Sequence, residues 1–334
     1  MTTTVAINGF GRIGRLVLRA LLEQNRNDIE VVAINDLGPV ETNAHLLRFD
    51  SVHGRFGAEV ASGDDWIDVG RGKMTVSAIR NPAELPWKHI DVVLECTGVF
   101  TDAEKAKIHL ENGATRVLVS APSKGADRTV VYGVNHHDLR AADKIVSNAS
   151  CTTNCLAPAA KVLHDNFGIV KGFMTTIHSY TGDQPTLDTM HKDQYRARAA
   201  ALSMIPTSTG AARAVGLVLP DLDGKLDGVA IRVPTPNVSA VDLTFESARP
   251  TNADEVNAAL VAASESGPLK GILGVTRHKN VSIDFNHDPR SSIIALDQTR
   301  VLGGNMVRVL AWYDNEWGFS NRMLDTAVVL GRLG

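Results

Sequence analysis

At 334 residues with 44% apolar side chains, the chain is long enough for about two globular domains with ordinary cores. A net charge of −3, with no block of like charges, argues against the basic surface that holds nucleic-acid phosphates. Three cysteines are an odd number and too few to staple such a chain, no run approaches the ~18 apolar residues of a membrane helix, and MTTTVAINGF lacks the basic and apolar regions of a leader. The expectation is a soluble cytoplasmic protein with no disulfide framework, no membrane partner and no nucleic acid as its main partner.

VAIN at 5–8 reads as a strand that runs through a glycine turn into RLVLRALLEQ, where Leu16, Leu18, Leu21 and Leu22 share one helical face; EVVAIND at 30–36 is a second strand. Gly9, Gly11 and Gly14 satisfy G-x-G-x-x-G at that turn. The first glycine permits a tight turn, the second lets backbone amides approach a pyrophosphate, and the third lets helix and strand pack closely. Asp36 ends the second strand 22 residues beyond Gly14, where a carboxylate accepts the hydroxyls of an adenine ribose and repels a 2′-phosphate. This combination predicts a dinucleotide site with NAD as cofactor.

WIDVGRGKMTVSAI at 66–79 reads as an inserted hairpin turning at Arg71-Gly72. DVVLECTG at 91–98, RVLVSAP at 116–122 and KIVSN at 144–148 read as buried strands, with a helical pattern in DAEKAKIHLENG between the first two. Strands alternating with helices predict a parallel sheet. A helix is expected from about Thr152 to Asn166. Beyond it, VKGFMTTIHSY, GVAIRVP, VSAVDLTFES and NMVRVLAWYD are longer and alternate, with Val241, Leu243 and Phe245 facing one way and Asp242, Thr244 and Glu246 the other, as half-solvated antiparallel strands do. SNRMLDTAVVLGRL returns to helical spacing. The fold class expected is α/β: an N-terminal Rossmann-type parallel sheet and a second α+β catalytic domain on a mostly antiparallel sheet, with the boundary near residue 150.

SNASCTTNC at 147–155 lies at that boundary and holds Cys151 and Cys155 one helical turn apart. A metal pair needs two further ligands, and with Cys96 in an apolar strand and the histidines scattered, none is expected. Cys151 stands where a helix begins, which favours a thiolate, while Cys155 is a turn deeper. A nucleophile and a buried inert thiol both remain open for each.

GFGRIGR, SNASCTTNC, TTIHSYTGDQ, IPTSTGAA, RVPTPNVS and WYDNEWGFSNR occur in that order, and together the chain resembles the phosphorylating glyceraldehyde-3-phosphate dehydrogenases from about residue 5 to 333. The resemblance implies that Cys151 is the nucleophile, His178 its base and Cys155 a structural neighbour, in a homotetramer of glycolysis and gluconeogenesis. A thiolate adding to an aldehyde makes a thiohemiacetal able to give up hydride, and a histidine suits the accompanying proton transfer. By the same resemblance Thr181 and Arg232 hold the substrate phosphate with Asp183 nearby, while Ser150, Thr152, Thr209, Gly210 and Arg196 surround inorganic phosphate. Arg12 and Ile13 are assigned to the pyrophosphate, Arg80, Thr97 and Ser120 to further NAD contacts, and Asn315 to the nicotinamide carboxamide. The expected division is 1–150 for NAD, 151–316 for catalysis, and a helix at 317–334 returning to the first domain.

Some positions depart from the family pattern. Phe319 replaces a common tyrosine, and Thr189-Met190 matches neither the Leu-Pro of NAD-specific members nor the Ala-Ser of photosynthetic NADP users. Leu37 sides with Asp36 for NAD. Erythrose-4-phosphate dehydrogenase is the alternative, sharing SNASCTTNC, FNHDPRS and NRMLDT; the presence of Thr181 and Thr209-Gly210 favours the triose and phosphorolysis. A non-catalytic dinucleotide or nucleic-acid binding protein predicts loss of Cys151 or His178, or a basic stripe, and none of these is seen.

Overall fold

The structure, a computed structural model, describes residues 2–333. It contains two compact units: the first runs through Ser150 and resumes at Phe319, and the second is Cys151–Gly318.

In the first unit, Thr3–Asn8 lies at the middle of a nine-stranded sheet, flanked by Ile29–Asn35 and Ile90–Glu95, with Ala114–Val119 and Ile145–Ser147 continuing outward. All these neighbours pair in parallel. Near-continuous apolar runs such as VAIN and DVVLE pack on both faces of a helix-covered sheet, and Val5, Ala6, Ile7, Val92, Val93 and Leu94 are indeed buried. The hairpin forms between Trp66–Asp68 and Lys73–Ser77, and its second strand joins Ile29–Asn35 in parallel. The pattern at 102–113 gives two short helical turns, Ala103–Ala106 and Ile108–Glu111, in place of one continuous helix.

The second unit opens with the helix Cys151–Phe167, which packs on a mixed sheet that includes Ile169–Ser179. That strand pairs antiparallel with Ser239–Ser247 at the middle of the sheet, whose alternation buries Val241, Leu243 and Phe245. Most pairings in this sheet are antiparallel, but Leu226–Val233, the GVAIRVP strand expected to be antiparallel, runs parallel to Ile169–Ser179. The reason lies in the connection: residues 180–225 contain a long loop, the strand Ile205–Ser208 and the helix Ala211–Val218, long enough to carry the chain back to the starting edge. The final helix, Trp317–Arg332, begins in this unit and continues in the first.

Candidate active site

In the first unit, the chain leaves Thr3–Asn8 and enters the helix Arg12–Glu23 through Gly9, Phe10 and Gly11. Gly9 has φ +91, and a Cβ there would lie 2.6 Å from the Thr97 amide nitrogen; a Cβ on Gly14 would lie 2.2 Å from the Gly9 carbonyl oxygen. Both positions are closed to side chains by backbone. Gly11, by contrast, has nothing within 4 Å of such an atom, so it exposes backbone to an open space. It precedes the helix with no side-chain cap, leaving amides of the first turn for an anion. A cavity of about 370 Å³ opens there, lined by Gly9, Gly11, Asp36, Leu37, Arg80 and Thr97 among others. The Asp36 carboxylate is oriented by the amides of Phe10 at 2.9 Å and Gly38 at 3.0 Å. An open glycine turn, an uncapped helix start and a fixed carboxylate fit a dinucleotide. Ile13 lies in the first helical turn, Arg12 pairs with Asp50, and the Ser120 amide donates to the Glu95 carbonyl at 3.0 Å.

Beneath this cavity lies a polar network that the sequence did not mark. Glu95, 1% exposed, accepts from Asn8 Nδ2 at 2.6 Å, from the Thr97 amide at 2.9 Å and from the Thr97 hydroxyl, and contacts His109 Nε2 at 3.0 Å. His109 Nδ1, on the far side of the ring, is buried with no hydrogen-bond partner. The Thr97 hydroxyl donates to Glu95 and accepts from the Val99 amide, which leaves its carbonyl as the group free of these bonds.

In the second unit Cys151 is the first helical residue, preceded in the chain by Ala149 at φ +57, a left-handed conformation that turns the backbone sharply into the helix. Its Sγ stands 3.5 Å from His178 Nε2. Burial pushes the Cys151 thiol pKa up; the Arg232 charge and hydrogen bonds from Thr152 oppose this. Burial thus works against the thiolate that a helix start favours. His178 is buried, and burial, with the Arg232 charge beside it, depresses its pKa to about 3, so the ring is neutral. A thiol against a neutral imidazole can pass its proton to the ring as sulfur attacks. Cys155 is fully buried, its Sγ 3.7 Å from Ser292 Oγ, and burial pushes its pKa far up.

Strand register brings His178 and Arg232 together as partners across the parallel pairing of Ile169–Ser179 with Leu226–Val233. Tyr313, another residue the sequence reading did not single out, is buried with its hydroxyl 2.8 Å from Thr152 Oγ1 and 3.0 Å from Thr176 Oγ1, and its ring meets His178 edge-on. The Asn315 side-chain oxygen Oδ1 accepts from Ser179 Oγ at 2.7 Å and from Ser239 Oγ at 2.8 Å. Arg196 is tied elsewhere: Nη1 donates to Asp183 at 2.9 Å and Nε to Thr207 at 3.0 Å. Thr209 and Gly210 lead into the helix Ala211–Val218, with Thr209 Oγ1 accepting from the Ala211 amide. Thr181 follows the end of the His178 strand, and Ser150 immediately precedes Cys151. Phe319 is buried, whereas Met190 is 96% exposed. Among the described residues, no group of three or more His, Cys, Asp or Glu is arranged to hold a metal.

Residues 3–103 match the family model for the glyceraldehyde 3-phosphate dehydrogenase NAD binding domain, and residues 150–315 match the C-terminal domain of the same enzyme. The chain is 76% identical over 333 residues to the glyceraldehyde-3-phosphate dehydrogenase of Cereibacter sphaeroides and 70% identical over 336 residues to that of Xanthobacter flavus, with full coverage of both chains in each case. It is 60% identical to the chromosomal glyceraldehyde-3-phosphate dehydrogenase of Cupriavidus necator, covering 99% of each chain.

Proposed function

The chain belongs to the glyceraldehyde-3-phosphate dehydrogenase family and is an NAD-dependent oxidoreductase, and from that premise we propose that it converts D-glyceraldehyde 3-phosphate and inorganic phosphate to 1,3-bisphosphoglycerate through sulfur chemistry at Cys151. The observation that carries the reading is the 3.5 Å approach of Cys151 Sγ to His178 Nε2 at the start of a helix. Bound NAD supplies the hydride acceptor, held by the glycine turn and Asp36. Cys151 adds to the aldehyde carbon, His178 takes the hydroxyl proton as the carbon is oxidised, and inorganic phosphate then displaces sulfur from the thioester, returning Cys151.

Arg232 and Thr181 are the proposed partners of the substrate's phosphate. Arg232 supports this role because its Nε is buried with no acceptor, a charged donor in want of an anion. Ser150, Thr152, Thr209 and Gly210 are proposed around inorganic phosphate. For Arg196 the salt bridge to Asp183 must open before it can contribute. The test is NADH formation from glyceraldehyde 3-phosphate with and without inorganic phosphate, beside erythrose 4-phosphate. Activity that ignores phosphate, or preference for the four-carbon sugar, rejects the reading.

A homotetramer is also proposed. Phe173, Ile177 and Val229 on the second unit's sheet, and Leu187, Met190, Leu202 and Met204 in the segment after it, are exposed apolar side chains of the kind a subunit interface covers. Light scattering decides the subunit number. No helix among the described residues is long and apolar enough to cross a membrane, and the three free thiols suit a reducing compartment, which supports the cytoplasm as the proposed location.

A further inference from the structure

Cys151 and His178 come from different elements: the cysteine opens the helix Cys151–Phe167, and the histidine lies near the end of the strand Ile169–Ser179. Neither element alone fixes the 3.5 Å between Sγ and Nε2. Reaction between such groups is steep in their placement, and an error of about 1 Å can cost about a hundredfold in rate.

One buried hydroxyl joins the two elements close to both groups. Tyr313 Oη lies 2.8 Å from Thr152 Oγ1 and 3.0 Å from Thr176 Oγ1. Thr152 follows Cys151 and gives its sulfur hydrogen bonds, while Thr176 precedes His178 by two residues and so shares its face of the strand. Tyr313, Thr152 and Thr176 are each at most 4% exposed. A phenol has one hydrogen and two lone pairs, so it donates to one threonine while accepting from the other, and either sense of the chain leaves the tie intact.

Tyr313 belongs to a strand that is not a neighbour of the His178 strand. Met306–Tyr313 pairs with Ser239–Ser247, which in turn pairs with Ile169–Ser179, so the tyrosine reaches past an intervening strand, across two spacings or roughly 10 Å of sheet. Its ring packs edge-on against His178 with centroids 6.0 Å apart, a contact that phenylalanine would make as well. Burying the hydroxyl is unfavourable unless it is bonded, and both of its bonds go to the carriers of the reactive pair.

We propose that Tyr313 is a positioning residue of the dehydrogenase reaction: its hydroxyl ties the helix that carries Cys151 to the strand that carries His178 and so sets the approach of sulfur to imidazole. The inference rests on the reading of these two residues as nucleophile and base.

The experiment compares wild type, Tyr313→Phe, Thr176→Val and the double variant, with Cys151→Ala alongside. Tyr313→Phe keeps the ring and removes the bridging oxygen, and Thr176→Val cuts the tie at its strand end alone. Three quantities are read well below the unfolding temperature: the single-turnover rate of NADH formation, KM for glyceraldehyde 3-phosphate, and the rate at which iodoacetamide alkylates Cys151. Both single variants should lose about tenfold in turnover and in alkylation with KM within about twofold of wild type, and the double variant should be no worse than either, because one tie cannot be cut twice. A merely structural tyrosine would lower the urea midpoint and leave the alkylation rate of the folded protein unchanged. Wild-type turnover and alkylation in Tyr313→Phe overturn the proposal. So does an impaired Tyr313→Phe beside a normal Thr176→Val, and so do losses that multiply in the double variant. If Tyr313→Phe does not fold, Thr176→Val decides by the same measurements. If Cys151→Ala keeps dehydrogenase activity, the reading of the pair falls and the proposal with it.

Discussion

Glu95 accepts hydrogen bonds from both the amide and the hydroxyl of Thr97, a residue lining the cofactor pocket. Asn8 Nδ2 donates to the same carboxylate, which also contacts His109, so one buried anion organises elements that come from separate strands and a helical turn. Glu95→Ala strands these donors together. The expected loss is about 3 kcal/mol, the scale of breaking a buried charged network, with a smaller loss in Glu95→Gln. Urea denaturation measures it, and fluorescence titration should show weaker NAD binding in both variants; an unchanged midpoint in Glu95→Ala would refute the assignment.

The three thiols should react in a fixed order. Burial and the neighbouring Glu95 push Cys96 up to about 12, and burial pushes Cys155 further, whereas Arg232 and Thr152 counter the effect at Cys151. A sub-stoichiometric alkylating agent should therefore label Cys151 first. Peptide mapping checks this, and Cys151→Ala should abolish dehydrogenase activity.

The glycine turn offers a paired test. Gly14→Ala places a methyl group 2.2 Å from the Gly9 carbonyl oxygen and should destabilise the first unit by several kcal/mol, on the scale of a forced overpacking. Gly11→Ala meets nothing within 4 Å in the protein, so the fold should tolerate it while NAD binding weakens. Thermal unfolding and NAD titration of the two variants should give opposite rankings of damage.

Acid should expose the Arg12–Asp50 pair. Burial alone would raise the Asp50 carboxyl, but the bond from Arg12 and the amides of His53 and Val52 bring it from 3.8 down to about 2. Because the folded pKa is the lower one, the stabilisation is complete above pH 3.8 and disappears as pH falls through about 2. It amounts to about 2 kcal/mol. Urea midpoints from pH 5 to pH 2 for the wild type and Asp50→Asn should converge at the acid end, and parallel curves would reject the account.

The parallel strands of the first unit were legible because burial on both faces forces unbroken apolar runs, and the glycine turn because its residue types answer to backbone geometry. Other features leave weaker marks. The helix Ala253–Glu265 buries little beyond Val256 and Leu260, so its periodicity is faint. Ile205–Ser208 is too short to establish alternation, and nothing local in GVAIRVP states which neighbour it joins or in which direction. Cys151 announces itself by position, but its contact with His178 spans 27 residues and depends on the register of a sheet. Glu95 was hidden in the run DVVLECTG, since a buried carboxylate becomes intelligible only when Asn8, Thr97 and His109 are seen around it.

The parallel pairing of Ile169–Ser179 with Leu226–Val233 extends over consecutive rungs from Gly172 opposite Leu226 to Ser179 opposite Val233. Residues 180–225 leave from one end of this ladder and re-enter at the other, so their length and sequence do not set its alignment. Insertions, deletions and rewritten side chains in much of that excursion can therefore accumulate without sliding His178 past Arg232. Natural variation or laboratory diversification there has freedom to alter what the protein recognises while the alignment of these two side chains is inherited intact.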